Sequence, residues 1–505
     1  MLRLSMPYGD GMVLQGGKPL RIRGESDGAE VTVSVQGHSA SAKVTDGRWE
    51  ASLPPLDYGE GETVEVRGGG ETVVFRDVAV GEVWLAGGQS NMEFMLCYDS
   101  GWQSEKEQRP KIRFFDVPEI ACDENLEDAD YSKFGFWRKA DSEENLRYYS
   151  AVAYYFAKKV AAETGHVVGM IGCNWSGTPA CTWIDPEYLR GTPGEIWLTD
   201  YASRSEGFSE EEMRDAYRKN KFASDHSNLV DATAFLYIGS SHEQQKKMMA
   251  EHPFPAPKPG QKLPPDYVHA PGRLFSSMVG RVAPYTLRGF IWYQGESDEL
   301  HPDVYDSMMS ALVRCWRDTW GDGELPMYMA QLTSFGIWMT GTGNAYPALR
   351  AMQEKAADET YGLYMASTMD AGMMWDIHPK QKRPVGERMA KLALRHTYGR
   401  EIPDAGSPGV EQAEIGSGKV TLHMSFSSGG LSNGERLGQM LSLSIDGCRV
   451  YDFYAATECG CIVLRHPEIL PGRKLHIEYA QSGYCPVDIF NSEGFSVRPF
   501  IIDCE

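Results

Sequence analysis

The chain has 505 residues, of which 42% are hydrophobic and 24% are charged, and its formal net charge is −21 at pH 7. This length exceeds what one hydrophobic core usually supports, so roughly two to four domains are expected. The composition is that of a folded globular protein. The acidity argues against nucleic acid or an anionic membrane surface as a partner, because such binding depends on Lys and Arg.

The cysteines and the first residues of the chain bear on its compartment. The ten cysteines are scattered, with Cys459 and Cys461 as the closest pair, and they form neither a disulfide framework nor a CxxC metal pair. The start, MLRLSMPYGDGMVLQ, has no apolar run of signal-peptide length, and no later segment approaches a membrane span. These features predict a cytoplasmic protein, or a secreted one if a signal peptide has been removed.

The first part of the chain, up to about residue 77, alternates apolar and polar residues in short runs between Gly and Asp turns. Examples are PLRIRGES, AEVTVSVQG, GRWEASLPPL and ETVEVRGGG. This period of two is typical of half-buried strands. We therefore predict an N-terminal β-sandwich-like region over residues 1–78.

The middle of the chain alternates apolar strands with amphipathic helices. One helix begins after Ser150 and ends at Gly165, and others carry apolar stripes around 305–316 and 385–392. Strands are predicted at 83–86, 167–173, 290–293, 327–332 and 363–367. Alternating strands and helices indicate a parallel sheet covered on both faces, so we predict a three-layer α/β/α domain over residues 79–402.

Two further regions differ from this pattern. Residues 186–270 are charged and Pro-rich, with one helix predicted near 209–220, and are interpreted as an insertion over one end of the sheet. Residues 403–505 return to short alternating runs such as KVTLHMSF, LSLSIDG, CIVLRH and LHIEYAQS. They predict a C-terminal β domain with no convincing helix.

The residues that follow each predicted strand matter most, because ligands of open α/β sheets bind at the carboxyl ends of the strands. These residues include a hydroxyl, a glycine N–H, an amide and, beyond the last strand, carboxylates with an imidazole. Such groups are the parts of serine-nucleophile acyl transfer: a nucleophile, an oriented base and oxyanion donors. The candidates in chain order are Ser90, Gly177, Gln294, Asp370, Asp376 and His378.

Other chemistries find weaker support. The G-x-S-x-G pattern from Gly24 to Gly28 requires a strand, a turn and a helix, whereas its surroundings predict strand, turn, strand, so Ser26 is interpreted as a hairpin turn residue. There is no H-E-x-x-H, no phosphate-binding loop and no dinucleotide fingerprint. The pair Asp376 and His378 alone does not make a metal site. Neither a metal nor a cofactor is predicted.

Several separated blocks resemble the SGNH/GDSL hydrolase superfamily and, within it, the sialate O-acetylesterase family. They occur in the family's order and span nearly the whole chain. The blocks are DGMVLQGGKPLRIRG, VGEVWLAGGQSNMEF, SAVAYYFAKKV with VVGMIGCNWSGTPACTW, RGFIWYQGESD, DIHPKQKRPVGERMA and VDIFNSEGFSVRPF. The resemblance implies an SGNH-type α/β/α domain that acts as a carbohydrate O-acetylesterase.

The same resemblance implies roles for individual residues. Ser90 becomes the nucleophile, His378 its general base and Asp376 the group that orients the imidazole. The backbone N–H groups of Ser90 and Gly177 and the side-chain amide of Gln294 become the oxyanion hole.

The chain departs from the family pattern in two places. The superfamily places its acid three residues before the histidine, and Trp375 stands there in this chain. Asp370, or a backbone carbonyl that supports a Ser/His dyad, therefore remains an alternative to Asp376. In the second block, Ser176 replaces the first glycine of the usual Trp-Gly-Gly-Thr.

The leading hypothesis is hydrolysis of carbohydrate O-acetyl groups through an acetyl-Ser90 intermediate, without a cofactor. Sialic acid and neutral hemicelluloses (xylan, xyloglucan or mannan) are the alternative substrates. A sialate carboxylate favours a pocket arginine, for which Arg273 and Arg383 are candidates. A neutral polymer favours exposed aromatic side chains, with Trp175, Trp183 and Trp292 as candidates unless they pack in the core.

Two other classes of function stay open at this stage. One is a non-catalytic carbohydrate-binding protein on a degenerate hydrolase core, and the other is a lipase or thioesterase of the same superfamily. The sequence does not determine the oligomeric state.

Overall fold

A computed structural model describes residues 1–121, 135–219, 243, 247, 264–339 and 341–505. The chain divides into two compact units. The first comprises Met1–Ile238, Ala256–Ser297 and Ser307–Met327, and the second comprises Gly239–Pro255, Asp298–Asp306 and Tyr328–Glu505. The division crosses the predicted middle domain, and the three-domain organisation stays a prediction. Much of the predicted 186–270 insertion lies outside the described residues.

The first unit begins with antiparallel β structure, as the alternating pattern predicted. Strands β1, β3 and β6 form one sheet, while β4, β5 and β7 pair with one another and with the start of β8. Along β4 the valines alternate inward, with Val31, Val33 and Val35 buried. The strands are β1 Leu2–Leu4, β2 Val13–Gln15, β3 Leu20–Ser26, β4 Glu30–Val35, β5 His38–Lys43, β6 Arg48–Leu53, β7 Gly59–Gly68 and β8 Glu71–Gly88.

The predicted hairpin at Ser26 is wrong. Ser26 ends β3, which pairs with β1 and β6, whereas the next strand β4 pairs with β5 and β7. The Ser26 hydroxyl accepts a hydrogen bond from the backbone N–H of Gly28 at 3.1 Å. Ser26 thus stabilises a turn between two sheets, and β4 follows it where a nucleophile elbow needs a helix.

Strand β8 connects the N-terminal β region to the central sheet. Its 18 residues pair antiparallel with β7 over the first half and parallel with β2, β11 and β12 over the second. Burial follows this change, since every residue from Val78 to Gly88 is buried whereas the first seven are not. The predicted boundary between residues 78 and 79 therefore falls inside one continuous strand.

The central sheet of the first unit has the strand order β10-β9-β11-β8-β12. Strands β9, β11, β8 and β12 are parallel, as predicted, and β10 adds an antiparallel edge. The remaining elements of this unit, in chain order, are α1 Ser90–Glu93, α2 Trp102–Glu105, β9 Ile112–Asp116, β10 Trp137–Lys139, α3 Glu143–Arg147, α4 Ala151–Thr164, β11 Val168–Asn174, α5 Ile196–Ser205, α6 Glu210–Lys219, α7 Gly280–Val282 and β12 Gly289–Tyr293, followed by α8 Tyr305–Trp320.

Helix α4 shows why the sequence signals were reliable in this region. The Ser150 hydroxyl accepts a hydrogen bond from the N–H of Ala153, and Gly165 ends the helix in the left-handed conformation with φ 77°. Phe156 packs edge-on against Trp84 of β8 with ring centroids 5.0 Å apart. The predicted helix near 209–220 is also present as α6.

The second unit contains α/β elements followed by a β-sandwich. Strands β13 Met327–Ala330 and β16 Leu363–Ala366 are neighbours in a sheet. The other α/β elements are β14 Ile337–Trp338, β15 Gly341–Thr342, α9 Tyr346–Glu359 and α10 Arg383–His396. The predicted strands at 327–332 and 363–367 and the last predicted helix are thus present.

The C-terminal region forms two antiparallel sheets of four strands, β17-β18-β22-β21 and β20-β19-β23-β24. Buried side chains from both sheets, including Leu422, Ile462, Leu443 and Ile477, form its core. The elements are β17 Val410–Gly416, β18 Lys419–Met424, α11 Leu437–Met440, β19 Leu441–Ile445, β20 Cys448–Val450, β21 Tyr454–Glu458, β22 Cys461–Arg465, β23 Leu475–Tyr479 and β24 Phe500–Cys504. The short helix α11 was not predicted. Within the described part of the chain, no helix is long and apolar enough to cross a membrane.

Candidate active site

Three of the predicted site residues follow neighbouring strands of the first unit. In the sheet register, Gly88 at the end of β8 lies opposite both Asn174 at the end of β11 and Tyr293 at the end of β12. Ser90 follows Gly88 by two residues, Gly177 follows Asn174 by three, and Gln294 comes directly after Tyr293. Strand pairing therefore gathers Ser90, Gly177 and Gln294 at one edge of the sheet.

Gly88 permits the sharp turn that leads to Ser90. Its φ of +142° is one that side-chain-bearing residues rarely adopt, and a Cβ there would lie 2.1 Å from the backbone oxygen of Tyr293. Ser90 then begins the short helix α1 and is 8% exposed. The turn presents a small hydroxyl at the start of a helix, next to the strand end.

Hydrogen bonds join the turn around Ser90 to the residues that follow β12. The backbone N–H of Gln89 donates to the carbonyl of Tyr293 at 3.2 Å. The side-chain oxygen of Gln89 accepts from the N–H groups of Gly295 at 3.3 Å and Ser297 at 3.2 Å. These bonds attach Gln89, the residue directly before Ser90, to the sequence block RGFIWYQGESD, which limits the movement of the nucleophile candidate. The neighbouring Asn91 amide also donates to a carboxylate oxygen of Glu296.

The loop after β11 is attached to the same turn. The N–H of Trp175 donates to the carbonyl of Gly88 at 3.2 Å. The backbone N–H and the hydroxyl of Ser176 donate to the same carboxylate oxygen of Glu93, at 2.8 and 2.6 Å. Gly177 follows in the left-handed conformation, with φ +73°, and is exposed.

Gln294 is fully buried, and its amide is oriented by the second loop. Its side-chain nitrogen donates to the backbone carbonyl of Thr178 at 3.1 Å. Thr178 is itself held, because its hydroxyl donates to the carbonyl of Trp175 and accepts from the indole N–H of Trp183. A fixed amide of this kind suits an oxyanion donor, which works best when it is already in place before the reaction.

A group of carboxyls with raised pKa lies behind the Ser90 turn. Removal from water raises the pKa of Glu93 to about 7, opposed by the hydrogen bonds from Ser176 and supported by the charge of Asp116. Burial likewise raises the pKa of Asp116 to about 6, opposed by its ion pair with Arg138. Burial and these two neighbouring carboxylates raise the pKa of Glu119 well above its ordinary value. All three carboxyls are therefore protonated more readily than carboxyls in water.

The second unit holds His378 and Asp376, both buried. The backbone N–H of His378 donates to Asp376 Oδ1 at 2.8 Å, whereas the imidazole Nδ1 lies 3.9 Å from that oxygen. Asp376 Oδ2 forms an ion pair with Lys380 at 3.0 Å, and burial, opposed by this pair, lowers the pKa of Lys380. The indole of Trp338 packs edge-on against the imidazole with centroids 5.3 Å apart. Asp376 is thus next to His378 without the ring hydrogen bond of a triad in this structure.

Asp370, the alternative acid, is bound to another partner. Both of its carboxylate oxygens accept from the guanidinium of Arg388, at 2.6 and 2.9 Å. Arg388 also donates to the carbonyls of Ser367 and Gly494. This bidentate, largely buried pair gives Asp370 a structural role.

The residues considered for substrate choice have mixed positions. Trp183 and Trp292 are fully buried, with ring centroids 6.4 Å apart, and Trp175 is 7% exposed, so core packing rather than an exposed sugar platform is what the structure shows. The guanidinium of Arg273 pairs with Glu210 at 3.0 Å and lies over the ring of Tyr267. Arg383 is exposed at the start of α10.

Sequence reasoning missed two residues beside the loop after β11. Glu93 lies in the block VGEVWLAGGQSNMEF. The signal that could have identified it is its position three residues, about one helical turn, after Ser90. His269 forms a hydrogen bond to the backbone of Gly177, and its pKa is lowered chiefly by burial. It lies in the segment interpreted as an insertion, where no periodicity marked it.

No group of three or more His, Cys, Asp or Glu side chains in the described residues has an arrangement that could hold a metal ion.

Comparison with known proteins identifies the relatives of this chain. Residues 255–395 match the family described as carbohydrate esterase, sialic acid-specific acetylesterase. This stretch includes Gln294, Asp376 and His378. Human sialate O-acetylesterase is 24% identical over 440 residues, which cover 79% of this chain and 71% of the relative. The rat sialate O-acetylesterase is 25% identical over 443 residues, covering 79% and 74% respectively.

A solved structure shares the fold over the whole length. A carbohydrate acetylesterase of Xanthomonas citri superposes with a TM-score of 0.75 at 24% identity, covering 100% of both chains. The predicted α/β fold is confirmed by this likeness together with the mixed sheet described above. The resemblance of the sequence blocks to the sialate O-acetylesterases is likewise confirmed as a similarity to these proteins.

Proposed function

We propose that this chain, a carbohydrate esterase related to the sialate O-acetylesterases, hydrolyses O-acetyl groups on carbohydrate through an acetyl-serine intermediate. The observation that supports it most is the strand register that gathers Ser90, Gly177 and Gln294 at one edge of the sheet. A hydroxyl beside two kinds of N–H donor is what acyl transfer needs.

In the proposed first step, the Ser90 hydroxyl attacks the acetyl carbonyl while His378 accepts its proton. The carbonyl π electrons move to oxygen, and the resulting oxyanion is stabilised by the N–H groups of Ser90 and Gly177 and the amide of Gln294. Collapse of this intermediate breaks the bond to the sugar oxygen, which takes the proton from His378. The products are the free sugar hydroxyl and acetyl-Ser90.

In the proposed second step, water attacks the acetyl-enzyme and gives a proton to His378. The same donors stabilise the second oxyanion, and its collapse releases acetate and returns the proton to Ser90. The cycle consumes one water per acetyl group and uses only side chains and backbone groups of this chain. Ser90 belongs to the first unit and His378 to the second.

The group that supports His378 is also part of the proposal. Asp376 is favoured over Asp370, because both carboxylate oxygens of Asp370 already accept hydrogen bonds from the Arg388 guanidinium. Asp376 lies 3.9 Å from the imidazole Nδ1, so a small rotation of either side chain would form the bond that orients the base. A Ser/His dyad supported by a backbone carbonyl is the alternative.

The substrate class is proposed as an acetylated carbohydrate, without a choice between sialic acid and a neutral polymer. Arg273 gives little support to a sialate carboxylate site, because Glu210 already neutralises it. The buried tryptophans give equally little support to a platform for neutral sugars. Trp375, 42% exposed and directly before Asp376, is an aromatic side chain available to a sugar ring near the proposed base.

Acetate release tests this proposal. The full chain is incubated with acetylated sialic acids, acetylated xylo-oligosaccharides and acetylated manno-oligosaccharides, and Ser90→Ala serves as the matched control. We expect wild-type release from at least one of these sugars and background release from Ser90→Ala. Equal background rates in both proteins would support the non-catalytic binding protein instead, and hydrolysis restricted to long acyl chains would support a lipase or thioesterase.

A further inference from the structure

We propose that Glu93 and Ser176 are positioning residues, which hold the loop that carries Gly177 against the Ser90 turn and so set the geometry of the oxyanion hole. This inference rests on the proposed function, because it assigns Gly177 as an oxyanion donor. It concerns neither the nucleophile nor the base. It adds two side chains, one on each side of the junction between two strand ends.

The contact is short and involves two donors. The backbone N–H of Ser176 lies 2.8 Å, and its hydroxyl 2.6 Å, from the same oxygen of Glu93. Hydrogen bonds to a carboxylate are stronger than those between neutral groups when the carboxylate is ionised, and they retain directional character when it is protonated. The two bonds together fix both the backbone and the side chain of the residue directly before Gly177.

The other end of the contact is equally well placed. Glu93 is the last residue of α1, the four-residue helix that Ser90 begins. The pair thus connects the helix that begins with the nucleophile to the residue preceding an oxyanion donor. A second hydrogen bond joins the same two segments closer to the strand ends, from the Trp175 N–H to the Gly88 carbonyl at 3.2 Å.

Gly177 itself has a backbone conformation that needs such support. Its φ of +73° and its exposure leave the loop few side-chain contacts of its own, and among described residues no atom lies within 4 Å of where its Cβ would be. His269 also forms a hydrogen bond to the backbone of Gly177. Glu93 and Ser176 therefore add a restraint, directly before Gly177, on a residue whose lack of a side chain gives it wide conformational freedom.

The energetic argument concerns position. An oxyanion donor contributes only if its N–H lies about 2.7–3.1 Å from the oxygen of the tetrahedral intermediate, and about 0.5 Å of displacement is enough to weaken it. Loosening the loop before Gly177 should therefore raise the energy of the transition state more than that of bound substrate. The expected signature is a lower kcat with a nearly unchanged KM.

The test compares variants of the full chain on p-nitrophenyl acetate and on whichever acetylated oligosaccharide the wild type hydrolyses. Ser176→Ala, which removes only the hydroxyl donor, is expected to lower kcat roughly tenfold with KM within about twofold. Ser176→Thr keeps the hydroxyl and should recover most of the lost kcat. Glu93→Ala removes the acceptor of both bonds and should lower kcat further, whereas Glu93→Gln keeps a carbonyl acceptor and should stay near the wild-type value.

A matched control exists in the C-terminal sandwich. The Ser442 hydroxyl donates to Glu478 Oε2 at 2.8 Å, which is a serine–glutamate hydrogen bond of the same kind outside the candidate site. Ser442→Ala should leave kcat and KM at the wild-type values. The melting temperature of each variant, measured by circular dichroism, separates loss of fold from loss of positioning, so Ser176→Ala remains informative if Glu93→Ala does not fold.

The outcomes distinguish this inference from the proposed function. If wild type hydrolyses acetyl esters in a Ser90-dependent way but Ser176→Ala and Glu93→Ala keep kcat within about twofold, the positioning role is wrong and the esterase stands. A loss in Ser176→Ala that Ser176→Thr does not recover, with a matching fall in melting temperature, also overturns it. If the wild type shows no Ser90-dependent hydrolysis, the proposed function fails first.

Discussion

The surroundings of Ser90 and of His378 differ in how they are built. Around Ser90, hydrogen bonds from Gln89 and Glu93 attach the turn to the loops that follow two neighbouring strands. Around His378, the backbone N–H of that residue donates to Asp376, Asp376 pairs with Lys380, and the imidazole Nδ1 lies 3.9 Å from the carboxylate. Ser90 lies two residues after a strand of the central sheet, whereas His378 lies in a loop.

This difference follows from backbone pairing. Strand ends in one parallel sheet must lie side by side, so residues placed just after them start close together, and short hydrogen bonds need little further ordering. A residue 12 positions beyond β16, as His378 is, has no such constraint from the ladder. We therefore expect the oxyanion geometry to be preorganised and the base to depend on adjustable side-chain contacts.

The largest expected effect is at Ser90, the proposed nucleophile. Ser90→Ala should lower kcat for p-nitrophenyl acetate by at least roughly 10⁴-fold, because it removes the nucleophile. Ser26→Ala is the matched control, since Ser26 lies in the sequence's other Gly-flanked serine pattern but only supports a turn. Its kcat should equal that of the wild type. A similar loss in both variants would contradict the assignment of Ser90.

The next comparison concerns the two carboxylates proposed to support His378. Asp376→Asn should lower kcat roughly 10³- to 10⁴-fold if that carboxylate orients His378, with little change in unfolding midpoint. Asp370→Asn should instead destabilise the fold by about 3–5 kcal/mol, because it leaves the buried Arg388 without its carboxylate partner. Steady-state kinetics and urea unfolding of both variants decide between them. If neither variant loses kcat, the dyad alternative is favoured.

A smaller effect is expected at Gln294, one of the proposed oxyanion donors. Gln294→Ala should lower kcat about 10²- to 10³-fold and leave KM nearly unchanged, because the amide stabilises charge that exists only in the transition state. The variant also loses the bond to Thr178, so its melting temperature is measured in parallel. A rise in KM at constant kcat would show that Gln294 binds substrate rather than the oxyanion.

The smallest predicted effect is on the pH dependence of stability. The pKa of Glu93 is raised in the folded state from about 4.5 to about 7, mainly by burial. Between these pH values the unfolded chain binds fewer protons at this position than the folded chain, so stability falls as pH rises. Glu93→Gln removes this contribution and should flatten the decline, with a difference on the order of a few °C in melting temperature at pH 8 relative to pH 5.

Asp116 and Glu119 change stability in the same direction as Glu93, since burial raises their pKa values too. The decline in Glu93→Gln should therefore be reduced rather than abolished. Melting curves of both proteins at pH 5, 6, 7 and 8 measure it. An equal change in melting temperature with pH in both proteins would contradict the raised pKa of Glu93.

Much of the fold could be predicted because its signals are local. Ser150 and Gly165 mark the ends of α4 through capping geometry, and the alternating valines of β4 mark a half-buried strand. The turn at Ser26 was misread for a related reason. Alternation identifies two strands and the turn between them, but it contains no information on whether those strands pair with each other.

The candidate site was predictable to the same extent. Ser90, Gly177 and Gln294 were found because each comes shortly after an apolar strand, and the neighbouring strand ends account for their grouping. Glu93 and His269 could not be assigned from the same reasoning. Their importance comes from contacts with the loop around Gly177, and a glutamate in a short helix or a histidine in a polar segment has no local mark of such a contact.

By itself, the sequence determined the order of a β region, an α/β region and a second β region, the candidate nucleophile and the resemblance to a family, because periodicity, caps and ordered motif blocks are properties of neighbouring residues. Only the tertiary structure decided that β8 runs through the predicted domain boundary, that Asp370 belongs to Arg388, and that Glu93 binds the loop before Gly177. Each of these depends on groups far apart in the chain. Such pairings form only when the sheet and its packed loops bring the backbone together.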